Sequence, residues 1–180
     1  ERVFEPARPN GRAVLVMPGG AYWFVSVVNE GADLAPRLAA RGYTVFVLVY
    51  RLPGEGWANR ADVPLQDAQR AMRLIRSRAA EFRLHPAQVA ALGFSAGGHL
   101  AAMMLAADWP AWAPDLPPQL LRGGAAVSGV FDLEPIAGAP FLKRDLKLDR
   151  TAARRLSPLT YTPPRSVPLH TAVGAAESAE

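Results

Sequence analysis

The order of apolar runs along these 180 residues predicts an α/β fold: a doubly wound, mostly parallel sheet with helices on both faces. Three observations carry that expectation. Short, uncharged, apolar runs the length of a buried strand recur along the chain. Between them stand segments whose apolar residues repeat at steps of three and four, the period of a helix. Glycine- and proline-rich turns separate the two kinds of segment.

Ala13–Met17 (AVLVM) is the first such run, and Pro18-Gly19-Gly20 closes it. A helical pattern follows from about Ala32 to Ala40, with Leu34, Leu38 and alanines on its apolar side; Arg41-Gly42 ends it. Tyr43–Tyr50 (YTVFVLVY) is β-branched and aromatic, as suits a strand covered on both faces. After the loop Leu52 to Val63, a long helix starts near Pro64. Leu65, Ala68, Met72, Ile75, Ala79 and Phe82 form its stripe, and His85-Pro86 breaks it. Gln88–Leu92 reads as a short strand and Ala96–Ala107 as a helix of small residues. Further strands are predicted near Gly124–Ser128 and Pro168–Val173, with a short helix at Arg150–Leu156. The right-handed crossover rule makes successive strand–helix–strand units one sheet.

Composition narrows the chemistry. Half of the residues are hydrophobic and 20% are charged, an ordinary balance for a globular domain in water. The net charge of +4 comes from scattered arginines, with no basic block interleaved with aromatics, so no nucleic-acid partner is expected. Without cysteine there are no disulfides, thiolate metal sites or thiol nucleophiles. No metal-binding or dinucleotide motif occurs, and no cofactor is expected. Val89–Ala107 carries no formal charge outside His99, but Gly93, Ser95, Gly97, Gly98 and His99 at its centre read as a strand turning into a buried helix, not a membrane span. The opening ERVFEPARPN has no signal-peptide pattern, so a cytoplasmic location is expected.

Gly93-Phe94-Ser95-Ala96-Gly97 is the strongest chemical signal. A G-x-S-x-G element between a short strand and a small-residue helix places the serine on a sharp turn with its hydroxyl projecting from the sheet. Ser95 is the expected nucleophile. The Ala96 N–H, at the helix start, would face a developing oxyanion. The second signal is Pro18-Gly19-Gly20-Ala21-Tyr22-Trp23 at a strand's carboxyl end. A glycine loop there exposes backbone donors: Gly20 and Ala21 are the expected pair, with Gly19 shaping this side of the oxyanion hole. Tyr22 and Trp23 are expected to line a substrate pocket.

These segments, together with Glu30-Gly31, Tyr50–Pro53, Leu65–Arg76 and Gly93–Ala102, resemble the α/β-hydrolase-fold esterases, especially small bacterial acetyl- and feruloyl-type enzymes. Ser128–Ile136, Leu156–Leu159 and Val173–Glu180 are similar to kynurenine formamidase (arylformamidase). Where many such enzymes carry His-Gly-Gly, this chain has Pro18, and Ala21 is inserted before the aromatic pair. The resemblance implies an α/β-hydrolase fold and a Ser–acid–His machinery in that chain order. It places the acid at Glu177, with Asp132 and Asp145 as weaker alternatives, Asp132 reading as a turn cap.

The base has no good position. His99 sits one turn behind Ser95, His85 lies at the far end of the sheet, and His170 falls within a strand and precedes the acid. The expected histidine therefore lies beyond Glu180, and residues 1–180 read as one incomplete domain cut just past the acid. The expected reaction is cleavage of a short-chain or aryl carboxylic ester through an acyl-enzyme on Ser95. The alternatives are arylformamidase activity on a small formamide and a non-catalytic binding protein of the same fold.

Overall fold

The computed structural model describes residues 2–140, 145–161 and 167–177. Their strands form one sheet: β1 (Arg2–Phe4), β2 (Ala13–Met17), β3 (Thr44–Val47), β4 (Val89–Phe94), β5 (Gly123–Val127) and β6 (Leu169–Ala172). Their order in the sheet is β1-β3-β2-β4-β5-β6. Only β1 runs antiparallel, on β3; every other pairing is parallel. The helices are α1 (Ala35–Ala39), α2 (Val63–Ser77), α3 (Ala96–Ala106), α4 (Trp109–Trp112) and α5 (Arg150–Arg155).

β2 lies where the apolar run predicts it, and all five of its residues are buried. Its side chains alternate between two cores, as a strand requires. Val14 and Val16 pack with Ala35, Val45 and Val47 on one face. Leu15 and Met17 pack with Phe46, Met72, Ile75, Leu100 and Met104 on the other. Both faces of the sheet are thus covered. α2 turns Ala68, Ala71, Met72 and Ile75 inward, the i, i+3, i+4, i+7 spacing of one helical stripe.

Three expectations change in detail. The helix foreseen over Ala32–Ala40 divides into a π-helical turn, Val28–Ala32, and the short α1. The long helix ends at Ser77; Arg78 leaves helical dihedrals, and the 3₁₀ turn Ala79–Phe82 follows. That turn still delivers Phe82 edge-on to Phe46, ring centres 5.0 Å apart, so the apolar stripe continues across the change of backbone from α-helix to 3₁₀ turn. β1 was not foreseen, because three residues with an exposed-exposed-intermediate pattern give no alternation to read.

α3 is buried along its length, from Ala96 to Leu105, because α2 covers one side and β2, β4 and β5 the other. This accounts for the uncharged stretch from Val89: it is β4 followed by a helix walled in by protein. No described helix is long and apolar enough to cross a membrane. Packing here is backbone against backbone. A Cβ added at Gly97 would stand 1.8 Å from the Met17 carbonyl oxygen, and one at Gly93 would stand 1.9 Å from that of Gly97. Only glycine allows such approach, and it fixes the start of α3 against the ends of β2 and β4.

Gly97→Ala should therefore cost about 3 kcal/mol or more in urea unfolding. Gly138→Ala, where nothing lies within 4 Å of the added Cβ, should change stability by less than about 0.5 kcal/mol.

Candidate active site

Ser95 is the hinge between β4 and α3. Its backbone sits at φ 49°, ψ −115°, a conformation that costs a non-glycine residue of order 1–3 kcal/mol. Neighbours hold it there. Its N–H donates to the Val127 carbonyl at 2.9 Å, and its own carbonyl accepts from the His99 N–H at 3.0 Å. The side chain is half-buried at the carboxyl end of the sheet.

The glycine loop is seated beside it. A Cβ built on Gly19 would lie 3.0 Å from the Ser95 Cβ, so the loop after β2 and the turn after β4 touch. Two side chains fix the loop's entry: the Tyr50 hydroxyl donates to the Pro18 carbonyl at 2.8 Å, and the Glu30 carboxylate accepts the Gly19 N–H at 2.5 Å. Gly20, Ala21 and Tyr22 then take positive φ values of 129°, 52° and 62°. Among the described residues, the Gly20 and Ala21 N–H groups have no protein acceptor. Ala96 is the first residue of α3, where an N–H has no partner within the helix. Three backbone donors are left available on these two touching segments.

Gly19, whose N–H is taken by Glu30, shapes the loop by close approach and leaves donation to its neighbours. One expectation needs correction. Tyr22 does not line a pocket. It is 7% exposed, and its hydroxyl lies 3.0 Å from the Ala96 carbonyl and 2.5 Å from His99 Nδ1. The positive φ at Tyr22 turns the side chain inward, while Trp23 stays 49% exposed. Glu30 was missed as a site residue; the Glu30-Gly31 pair in the resemblance was its only signal.

Glu177 follows β6 as Ser95 follows β4. Glu177 Oε1 accepts from Ser128 Oγ at 2.7 Å and from the Gly174 N–H at 2.9 Å. Ser128 directly follows β5 with φ 49°, and its N–H donates to the Ala172 carbonyl at 2.7 Å. Ser95, Ser128 and Glu177 therefore follow three adjacent strands. Two strand spacings are roughly 10 Å, a gap that an imidazole could bridge. The Ser128 hydroxyl, and then the Gly174 N–H, hold the Glu177 carboxyl below its ordinary range. Asp132 accepts from the Glu134 N–H at 2.9 Å, a local turn, and Asp145 lies beside Gly54.

No described histidine is placed as a base. His85 is near the amino end of β4, its N–H on Gly11. His170 is mid-strand in β6, opposite Ala125. His99 is 4% exposed, and burial pushes its pKa down to about 4. Its Nε2 lies 2.6 Å from the Leu156 carbonyl, which can only accept. The neutral ring thus carries its proton on Nε2, and Nδ1 and the Ala96 carbonyl are two acceptors that share the single phenolic proton of Tyr22. Cavities of about 460 and 570 Å³ flank α5, lined by residues such as Arg154, Arg155, Met103 and Leu156, and not by Ser95. No cluster of three or more metal-ligating side chains occurs among the described residues.

A family model described as BD-FAE matches residues 3–108. An acetylxylan esterase of Xylanibacter ruminicola is 36% identical over 101 residues, 56% of this chain and 20% of its own length. A kynurenine formamidase of Danio rerio is 32% identical over 142 residues, 79% of this chain and 45% of its own length. The chain thus spans less than half the length of these relatives. Among solved structures, an acetyl ester-xyloside bifunctional hydrolase from Caldicellulosiruptor lactoaceticus superposes with a TM-score of 0.71 at 23% identity, covering 94% of this chain and 74% of that one. Esterase 2 of Thermogutta terrifontis gives 0.72 at 20% identity, covering 96% and 77%. The fold is the α/β-hydrolase fold.

Two measurements check this geometry. Ser128→Ala should raise the Glu177 pKa toward its ordinary value, read by carboxyl ¹³C titration. For His99 the folded pKa, about 4, lies below the ordinary 6.5. The unfolded chain then binds the extra proton, so stability should fall as pH drops from about 6.5 to about 4. His99→Gln should flatten that part of the stability–pH curve.

Proposed function

Because the chain belongs to the BD-FAE family, we propose that it carries the nucleophile, oxyanion hole and acid of a serine hydrolase acting on carboxylic esters. The observation that carries this reading is the close approach of Gly19 to Ser95; in this reading the Gly20, Ala21 and Ala96 N–H groups serve the Ser95 hydroxyl as its oxyanion hole. Ser95 Oγ attacks the ester carbonyl and loses its proton to a base. The negative charge that develops on the carbonyl oxygen is met by fixed N–H dipoles that need no reorganisation. The tetrahedral adduct collapses, the alcohol leaves with a proton, and an acyl-Ser95 ester remains. Water attacks that ester by the same route and frees the acid. The proton carrier in this reading is a histidine outside the described residues, oriented by Glu177.

Short-chain and aryl esters are the first substrate class. Acetylxylan esterase is what the Xylanibacter relative is named, and the half-exposed Trp23 beside the donor loop offers an aromatic wall. Arylformamidase chemistry is the second reading. It is favoured by the formamidase relatives, which match 79% and 80% of this chain.

In the full-length protein, a fluorophosphonate probe should label Ser95. Ser95→Ala should abolish labelling and lower kcat/KM for p-nitrophenyl acetate by at least about 10⁴-fold. Formate release from N-formylkynurenine, faster than acetate release, would favour the second substrate class. An unlabelled, inactive protein would leave a non-catalytic binding role.

A further inference from the structure

Tyr22 and His99 sit where the donor loop, the elbow and the segment after α5 converge. Ala21 and Tyr22 both hold left-handed dihedrals, φ 52° and 62°, and neither is glycine. Two successive strained residues persist only when their surroundings over-determine them. The hydroxyl of Tyr22 provides that restraint. It lies 3.0 Å from the carbonyl of Ala96 and 2.5 Å from His99 Nδ1. The Tyr22 ring stands edge-on to both Tyr50, centroids 6.2 Å apart, and His99, 5.9 Å apart. His99 in turn reaches the Leu156 carbonyl at 2.6 Å.

The consequence bears on two of the three proposed oxyanion donors, Ala21 and Ala96. Tyr22 directly follows Ala21, so anchoring its ring sets the peptide that carries one donor. Its hydroxyl proton is shared between His99 Nδ1 and the carbonyl of Ala96, the residue whose N–H is another proposed donor. A single phenol thus fixes the spacing between N–H groups that come from loops 74 residues apart. His99 lacks a proton on Nδ1 and so accepts the shorter arm of that shared hydrogen bond, which holds the phenol in place. We propose that Tyr22 and His99 are a positioning pair for the oxyanion hole: Tyr22 links the two donor peptides, and His99 locks Tyr22 to the body of the protein through Leu156. Neither touches substrate. This rests on the serine-hydrolase reading above.

The test uses the full-length protein and p-nitrophenyl acetate, with an aryl trifluoromethyl ketone as the probe that forms an oxyanion on Ser95. Tyr22→Phe keeps the ring and removes the hydroxyl. It should lower kcat about 10- to 100-fold, less than deleting a donor outright, with KM changed less than two-fold. Trifluoromethyl ketone affinity should fall by a similar factor. His99→Leu should behave alike. His99→Gln, whose amide can accept from Tyr22 and donate to Leu156, should recover most of the loss. Tyr22→Phe with wild-type kcat and ketone affinity would overturn the inference, as would a loss confined to KM or one explained by the fraction unfolded at the assay temperature. Should Tyr22→Phe fail to fold, His99→Leu against His99→Gln decides in the same way. A wild-type protein that neither labels at Ser95 nor turns over would overturn the hydrolase reading, and this inference with it.

Discussion

The whole arrangement depends on one contact without side chains: the start of α3 lying on the end of β2 at Gly97. With 1.8 Å between a would-be Cβ and the Met17 carbonyl, no other residue fits without moving a strand. That contact puts the first turn of α3, and Ser95 before it, beside Pro18 and Gly19. The glycine loop meets the serine because the helix has no room to be elsewhere. Parallel strands do the rest, since all of their carboxyl ends emerge on one side, and Ser95, Ser128 and Glu177 emerge in a row.

Electrostatics around the serine are arranged by backbone more than by charge. Burial, and next the nearby Glu30 carboxylate, push the Tyr50 phenol above its ordinary range, and burial first does the same to Tyr22. Burial drives His99 the opposite way, so all three rings stay neutral and serve as hydrogen-bonding struts. The carboxylates near the loops are each committed: Glu30 to Gly19, Glu177 to Ser128 and Gly174. The free partial charges at the centre are N–H groups, the environment a transient oxyanion requires.

Much of this was legible in the residues. AVLVM, the α2 stripe and GFSAGG gave the strands, the main helix and the elbow, because each depends on local periodicity or on a turn with a fixed chemical demand. The direction of Tyr22 was not legible. In sequence it adjoins Trp23, and only the left-handed dihedral at residue 22 separates a core ring from a half-exposed one. The role of Glu30 was hidden for a related reason: a carboxylate eleven residues from Gly19 reaches it only after a π-helical turn doubles the chain back. The break in α2 at Arg78 escaped as well, because a 3₁₀ turn can continue an apolar stripe that an α-helix began.

The conformation of Ser95 sets backbone ease against a hydroxyl at a single residue. Glycine would adopt φ 49° at the lowest cost, so selection for stability alone would favour losing the hydroxyl at this position. A serine here therefore carries a conformational cost that glycine would not, and the dense packing of α3 around it supplies the margin that makes the exception tolerable.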